Sequence, residues 1–440
     1  METMPISSLA KNQWKEYSMS VITDRAIPSF IDGLKPVQRY LLYAGLKEPN
    51  TEKKVAAWAG NLAELGYSHG EVSGADALVK MTSEYLNNIP LFTGRGNFGT
   101  FLAKDAAAAP RYIFAKLSKI TSKIFLDNDQ LVQNPDPEQK PPLYYLPIIP
   151  MVLVNGIKGI ATGWAVDIPP HDPISIIDCL INICNKKPFG DIKPKYPYFN
   201  GVISGVGNCY ELYGLFERQD VSKLHITELP PTLDQETYQG ILDKLEEKGI
   251  INGYEDNSKG DKYDITISVK RKAVNASDED IYKTFKLKAT HTWNVNTITK
   301  DNKLKEWDPK TVFKDILKEF YAFRLPFIAE RIERIKTRLS IDIAYCKAYI
   351  AFANDVIAKK FDFHCSEEDM EFKLLNYYKA PEKYVKEIMN KPVRSFTPKH
   401  VQEAEQRQKD LEEELKYYNS TTPEKEYEKN LKDLKRELVK

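Results

Sequence analysis

The sequence has few cysteines, and their arrangement indicates neither a disulfide framework nor a zinc site. Among 440 residues there are five cysteines, and no two form a C-x-x-C pair. They are Cys179, Cys184, Cys209, Cys346 and Cys365. Disulfide frameworks and structural zinc sites need even-numbered or closely spaced cysteines, so the pattern predicts a protein of a reducing compartment.

Long apolar runs are absent as well. No apolar stretch approaches the roughly 20 residues that a membrane-spanning helix needs. Residues 1–15 contain no apolar core of the kind found in a signal peptide. The sequence therefore predicts a soluble, intracellular protein without a membrane partner.

The chain has no general excess of one charge. Its 63 lysines and arginines are balanced by 62 aspartates and glutamates, which gives a formal net charge of +1. Residues 24–125 differ, because they contain 13 basic and 9 acidic residues. This local excess favours a nucleic-acid partner, although lysines scattered evenly over a surface would give the same count.

Motifs for nucleotide and metal binding are also missing. The sequence contains no G-x-x-x-x-G-K-[ST] loop for ATP. Residues 94–99 fit G-x-G-x-x-G, but the surrounding sequence does not predict the βαβ context of a dinucleotide site. This glycine loop can bring Arg95 and backbone amides near a phosphate, or form a simple turn. The acidic runs at 127–129 and 278–280 predict solvated loops, so no metal site is assigned.

The most informative segment spans residues 106–114, which read AAAAPRYIF. Four small side chains leave room for a large ligand beside Arg111 and Tyr112. A tyrosine hydroxyl has a pKa of about 10 and is a weak nucleophile without a cationic neighbour or a metal-held phosphate. Arg111 is such a neighbour, which predicts attack of Tyr112 on a phosphodiester. Taken alone, the residues also fit a short strand with a half-buried tyrosine.

Two further positions place a functional side chain beside glycine. His69 precedes a glycine, although a lone histidine is more often structural. Ile160 follows Gly159 in a glycine-rich stretch, where an exposed apolar wedge can enter a base step and kink DNA. The alternative for Ile160 is a tight turn beside a core.

Apolar periodicity predicts an α+β multidomain fold. After a polar arm, short helical patterns, one beginning at Pro36, favour a domain of helix-turn-helix or winged-helix type. A mixed α/β domain follows, with a helix that begins at a capping box formed by Thr232 and Gln235. Its strands are predicted at residues 144–154, 201–206, 225–229 and 263–270.

The last part of the chain is helical in pattern. Apolar residues three or four apart, around 328–343 and 401–418, predict two long helices that pair as an antiparallel coil. Residues 362–398 between them can cap the coil and dimerise. The alternative is that these helices only pack on their own core.

Several of these motifs occur together and in order in one family. They lie at residues 25–39, 94–99, 106–114 and 155–171. The chain therefore resembles the DNA breakage-reunion subunit of type IIA topoisomerases. The resemblance implies four domains, namely an arm that contacts a partner subunit (1–21), a winged-helix DNA-cleavage domain (22–140), a tower domain (141–306) and a coiled coil with a helical dimerisation gate (307–440).

The resemblance also implies roles for single residues. Tyr112 would join the 5′ end of cleaved DNA, and Arg111 would stabilise the transition state. Ile160 would bend the DNA, and Ser73 would lie near the position where drugs contact the family. The DNA backbone would be contacted by Arg25, Lys35, Arg39 and His69, to which the glycine loop adds Arg95. The sequence departs from gyrase at Tyr40 and Tyr67, where a second arginine and a second histidine are expected.

The resemblance further implies partners and cofactors. Mg²⁺ and ATP would be held by a separate large subunit with Toprim and ATPase domains, and neither by this chain alone. A homodimer would place two Tyr112 residues on opposite strands of double-stranded DNA and make a double-strand break. The chain ends without a DNA-wrapping extension like that of gyrase, so relaxation and decatenation are expected, in the cytoplasm of a phage-infected bacterium.

Two other functions remain open from the sequence. A non-catalytic DNA-bending protein would need the basic residues and Ile160 but not Tyr112. A tyrosine recombinase would cleave without metal, but it normally gathers several histidines and arginines around its tyrosine. The chain has six histidines, and the sequence around Tyr112 supplies none nearby.

Overall fold

The computed structural model describes residues 8, 10–104, 106–128, 130–270 and 274–439. Residues 1–7 and 9 of the predicted arm lie outside these ranges. The chain forms two compact units, one holding residues up to Ala322 together with those from Asn430, and the other spanning Phe323–Lys429. Strands and helices make up the first unit and helices the second, so the mixed α/β fold predicted from the sequence is confirmed at this level.

The helices of the first unit are short, and the first is flanked by π-helical turns at Ala10–Trp14 and Ile22–Ala26. The helices are α1 (Lys15–Val21), α2 (Pro36–Lys47), α3 (Val55–Glu64), α4 (Glu71–Thr82), α5 (Lys119–Ile124), α6 (Met151–Val154), α7 (Pro173–Cys184), α8 (Gln235–Glu247) and α9 (Asp278–Thr284).

The strands pair in antiparallel sheets of order β1-β3-β2, β4-β5, β12-β7-β6, β10-β11-β9-β8 and β13-β14. They are β1 (Lys53–Lys54), β2 (Phe92–Arg95), β3 (Phe114–Leu117), β4 (Ile157–Ile160), β5 (Ala165–Ile168), β6 (Val202–Val206), β7 (Cys209–Tyr213), β8 (Leu215–Asp220), β9 (Lys223–Glu228), β10 (Ile251–Asp256), β11 (Ile265–Val269), β12 (Lys288–Thr292), β13 (Asn296–Ile298) and β14 (Leu304–Glu306).

Helices α2 to α4 pack with the small sheet β1-β3-β2. Pro36 is the first residue of α2, as predicted, because proline fits the first helical turn, where its missing amide is not needed. Leu41 and Leu78 have no exposed surface. The indole nitrogen of Trp58 donates to the carbonyl of Ala115 at 2.9 Å, which fixes α3 against the central strand of the sheet.

The strand predicted at residues 144–154 is wrong. Residues 144–150 follow an irregular path, and Met151–Val154 form one helical turn. Pro147 and Pro150 have no amide hydrogen to donate to a sheet. The neighbouring Leu146 and Ile149 are buried, because the segment runs through a core. A fully buried run of apolar residues has the same pattern whether or not it is a strand.

Residues 202–292, called the β-rich region below, contain the sheets β12-β7-β6 and β10-β11-β9-β8. Strands β6, β9 and β11 confirm three of the predicted strands within one or two residues. Helix α8 is confirmed, but its N-cap is Asp234, whose carboxylate accepts from the amide of Thr237 at 2.9 Å. The predicted capping box on Thr232 is therefore wrong, because the helix begins two residues later.

The second unit contains the two long helices that the sequence predicts. Its helices are α10 (Val312–Ile357), which begins in the first unit, α11 (Glu367–Asn376), α12 (Glu382–Met389), α13 (Pro398–Ser420) and α14 (Pro423–Val439), which ends in the first unit. Val401 of α13 lies in one apolar cluster with Phe352 of α10, and Lys347 pairs with Glu412 at 3.0 Å. The antiparallel coil, its dimerising cap and the predicted domain boundaries stay predictions.

None of the helices in the described part of the chain combines the length and apolar composition needed to cross a membrane.

Candidate functional site

Tyr112 lies in a turn on the surface. Its side chain is 64% exposed, and the guanidinium carbon of Arg111 lies 4.8 Å from the centre of its ring. The strand expected to include both residues begins only at Phe114. The half-buried strand tyrosine that the sequence left open is therefore not what the structure contains, and the hydroxyl is accessible to a large ligand.

Backbone hydrogen bonds fix this turn against helix α3. The amides of Val55 and Ala56 donate to the carbonyls of Ile113 and Pro110, at 3.0 and 3.1 Å. Ile113 is 1% exposed, so its side chain anchors the residue after Tyr112 in the core. These contacts fix the backbone on both sides of Tyr112, which suits a nucleophile that needs a defined position.

The glycine loop packs directly on the tyrosine segment. Gly96 has a φ of +113°, and a Cβ there would lie 2.7 Å from Cγ2 of Ile113. The side-chain amide of Asn97 donates to the carbonyl of Ala106 at 2.8 Å, and its backbone carbonyl accepts from the amide of Ala108 at 2.9 Å. Two motifs that the sequence predicts separately therefore form one structural unit.

Arg95 lies at the edge of this unit. Arg95 of β2 pairs with Phe114 of β3. Its guanidinium carbon lies 4.1 Å from the centre of the Phe114 ring. It is exposed and pairs with Glu52 at 2.7 Å, and hydrogen bonding to Arg95 lowers the pKa of that carboxyl. A phosphate approaching Arg95 would therefore compete with Glu52.

Arg25, Lys35 and Ser73 line one groove together with Lys80 and Lys158. The ammonium of Lys35 donates to the carbonyl of Lys158 at 2.7 Å. Burial, followed by the nearby charge of Lys80, lowers the pKa of Lys35. Asp24, Asp76 and Asp167 also line the groove, and Lys158 pairs with Asp167 at 3.1 Å, so the positive excess of the groove is small.

Ile160 ends strand β4 and is 78% exposed. The turn after it closes with a hydrogen bond from the amide of Ala161 to the carbonyl of Trp164, at 2.7 Å. Gly159 lets the hairpin lie close to the segment that carries Arg25, because a Cβ at residue 159 would lie 2.2 Å from the carbonyl oxygen of Ala26. The isoleucine thus projects from a fixed hairpin, as a wedge requires.

Arg39 and His69 line a different cavity. The guanidinium of Arg39 is held by the fully buried carboxylate of Asp32, with Nε 2.7 Å from Oδ2. The ring of His69 stands edge-on to Tyr67, which shares a hydrogen bond of 2.9 Å with the hydroxyl of Ser73. The DNA contacts expected of Arg39 and His69 stay predictions.

The described residues offer no group of three or more His, Cys, Asp or Glu side chains that could hold a metal ion. In the sequence, Tyr112 follows four alanines, a proline and Arg111. These side chains carry no oxygen ligand of the kind that Mg²⁺ prefers.

The groove also contains a hydrogen-bonded series that no sequence motif indicates. Nε2 of His291 lies 2.8 Å from Oδ1 of Asp167, and its Nδ1 lies 2.7 Å from the hydroxyl of Tyr196. All three residues line the groove of Lys35. They come from distant parts of the chain, so only a structure brings them together.

Comparison with known proteins gives consistent matches. The family model that describes the A subunit of DNA gyrase/topoisomerase IV matches residues 25–435. The chain is 34% identical over 447 residues to a DNA topoisomerase medium subunit of Enterobacteria phage T4, with 98% of each chain covered. It is 35% identical over 340 residues to DNA topoisomerase 2 of Arabidopsis thaliana, covering 72% of this chain and 23% of the plant protein.

A solved structure agrees with these matches. The crystal structure of the Plasmodium falciparum topoisomerase II DNA-binding, cleavage and re-ligation domain is similar with a TM-score of 0.85 and 29% identity. The match covers 96% of this chain and 63% of that chain. The chain thus spans nearly all of the phage relative but about a quarter of the plant one.

Proposed function

The chain belongs to the family of DNA gyrase and topoisomerase IV A subunits and is the DNA-cleaving subunit of a type IIA topoisomerase, and we propose that Tyr112 is its nucleophile. The observation that carries the proposal is the exposed Tyr112 side chain beside Arg111, on a turn fixed by α3 and the glycine loop. An accessible hydroxyl on a rigid backbone next to a cation is what phosphodiester attack requires.

The reaction exchanges one phosphodiester for another. Oη of Tyr112 attacks the phosphorus, the bond from phosphorus to the 3′ oxygen breaks, and the 5′ phosphate remains on the tyrosine. The phenolic proton is lost and the 3′ oxygen gains one. Because the bond type is conserved, cleavage is reversible without ATP. Arg111 stabilises the extra negative charge of the transition state.

The cleaved DNA segment is proposed to lie along the groove of Lys35. Arg25 and Lys35 neutralise backbone phosphates there, and Ile160 enters a base step beside them. Unstacking one base step costs on the order of a few kcal/mol. Additional protein contacts along the bent duplex offset this cost. The shared groove and the exposed hairpin support this path.

A homodimer and a separate large subunit complete the proposed enzyme. Two copies of Tyr112 on opposite strands make the double-strand break. Mg²⁺ and ATP are supplied by the large subunit, with its Toprim and ATPase domains, for strand passage. The name of the phage relative, a medium subunit, supports this division, because it implies that the enzyme has at least one other subunit.

Substitution of the hydroxyl tests the proposal. Tyr112→Phe, mixed with the large subunit, Mg²⁺ and DNA, is expected to bind DNA as the wild type does and to give no denaturant-stable protein–DNA linkage. Tyr254→Phe is the matched control, because its hydroxyl donates to the exposed Asp243 in the β-rich region, at 2.7 Å. It should cleave normally.

Three outcomes would contradict the assignment. Adducts that persist in Tyr112→Phe would place the nucleophile elsewhere. A wild-type chain that bends DNA without ever forming adducts would favour the architectural function. Cleavage that survives EDTA would favour a recombinase.

A further inference from the structure

The segment that precedes the tyrosine turn is built into the core of the β-rich region. Phe101 and Leu102 are 5% and 6% exposed and belong to one apolar cluster with Leu224, Ile226 and Tyr238. The carbonyl of Leu102 also accepts from the amide at the start of α8, at 2.9 Å. Between the glycine loop and Tyr112, the chain therefore passes through the core of the β-rich region.

Lys104 holds the end of this segment to the β-rich region by hydrogen bonds. Its ammonium donates to the carbonyls of Pro231 and Leu233, at 2.6 and 2.7 Å, and lies 5.3 Å from the ring centre of Phe101. Its own carbonyl accepts from the hydroxyl of Tyr85, which follows α4. Lys104 is therefore connected both to the β-rich region and to the helices around the tyrosine turn.

Tyr112 follows Lys104 by eight positions. After the tyrosine, the chain is held by α3 through the carbonyl of Ile113. The tyrosine-bearing segment is therefore attached to the β-rich region at Lys104, to the glycine loop at Ala106 and Ala108, and to α3 at Pro110 and Ile113. A displacement at Lys104 acts first on residues 106–108, which also carry the hydrogen bonds to the glycine loop.

We propose that Lys104 is a positioning residue for Tyr112, which holds the tyrosine-bearing segment against the β-rich region. The inference rests on the proposed role of Tyr112. In-line displacement needs close alignment of the attacking oxygen, and a misplacement of about 1 Å can lower a rate by a factor of about 100. The ammonium bonds of Lys104 keep the segment from shifting by such an amount.

The test uses Lys104→Met, which keeps the unbranched stem and removes the ammonium, in the complete enzyme. We expect single-turnover cleavage at saturating DNA to slow by about tenfold to a hundredfold; the DNA is kept saturating because Lys104 also lines the groove of Lys35. Lys104→Arg should restore most of the rate, because arginine also donates to carbonyls. Tyr85→Phe, which removes the hydroxyl that donates to the Lys104 carbonyl, should slow cleavage in the same direction. Lys119→Met, at an exposed position, controls for the lost charge.

Hydrogen exchange provides a readout besides activity. In Lys104→Met, the amides of residues 100–104 and 106–108 should exchange faster, while those of α8 and β9 stay as in the wild type. Wild-type cleavage by Lys104→Met, or faster exchange throughout α8 and β9, would overturn the inference, the second because it shows a merely structural role. Adducts in Tyr112→Phe would instead overturn the proposed function, so the two failures are distinguishable.

Discussion

Nε of Arg39 lies 2.7 Å from Oδ2 of Asp32, whose side chain has no exposed surface. The same carboxylate accepts from the amides of Leu34 and Tyr145, at 3.0 and 3.1 Å. One buried charge therefore joins α2, the turn before it and the irregular segment at 144–150. Arg39 is the counter-charge of Asp32, so this arginine stabilises the fold whether or not it also contacts DNA.

Arg39→Ala is expected to lower the free energy of unfolding by about 3–5 kcal/mol, because it leaves a buried carboxylate unpaired. Urea denaturation monitored by circular dichroism measures the effect. Arg95→Ala is the control, since its ion pair with Glu52 is exposed and should matter little for stability. An Arg39→Ala protein of wild-type stability that fails to bind DNA would show instead that Arg39 is a contact residue.

Ile160→Ala should separate DNA bending from folding. The side chain is exposed, so the free energy of unfolding should change by less than about 0.5 kcal/mol. Bending of a dye-labelled duplex, followed by energy transfer, should decrease, and cleavage should decrease with it. Val221→Ala, at another exposed apolar position, should change neither. Unaltered bending in Ile160→Ala would exclude the wedge.

The features that the sequence predicts correctly are those set by residues close together in the chain. Pro36 marks the start of α2 because its effect is local, and the long helices α10 and α13 follow from periodicity over many turns. The tyrosine segment and the glycine loop are recognisable because each is a contiguous motif. That they form a single unit, through Gly96 and Ile113, is visible only in three dimensions.

Contacts between distant residues are what the sequence does not reveal. Asp32 and Tyr145 are joined across 113 positions, and Asp167 and His291 across 124. The predicted strand at 144–154 is wrong for the same reason. Elements that are distant in the sequence bury this segment, so its residues are apolar although it forms no strand. The insertion of Phe101 and its neighbour into a second core likewise has no local signal.

Gly96→Ala should disturb the site through packing. The new Cβ would lie 2.7 Å from Ile113 Cγ2, in a backbone conformation with a φ of +113°. Gly207 has a φ of +61° and open space around it, so Gly207→Ala measures what a left-handed backbone conformation costs without crowding, about 1–2 kcal/mol. We expect Gly96→Ala to lose about 1–3 kcal/mol more, as measured by urea denaturation, and to cleave more slowly. Equal decreases in the free energy of unfolding of the two variants would mean that the glycine loop accommodates the new methyl group without displacing Ile113.

Glu228 is a buried carboxyl in the β-rich region. It is 5% exposed, and burial raises its pKa from 4.5 to about 7. Its Oε2 accepts from the amide of Asn200 at 3.3 Å, which opposes the shift only in part. Between pH 4.5 and about 7 the folded protein therefore binds more protons at this residue than the unfolded chain does.

Linkage sets the sign of the resulting pH dependence. Because the folded state holds the extra proton, the contribution of Glu228 to the free energy of unfolding decreases as the pH rises from 4.5 to about 7. Glu228→Gln cannot ionise, so it should be more stable than the wild type at pH 8, by on the order of 1–3 kcal/mol, and should lose this advantage near pH 4.5. Urea midpoints at pH 5 and pH 8 measure the difference, with the exposed Glu247→Gln as control. An identical pH dependence in Glu228→Gln and the wild type would show that Glu228 ionises at the same pH in the folded and unfolded protein.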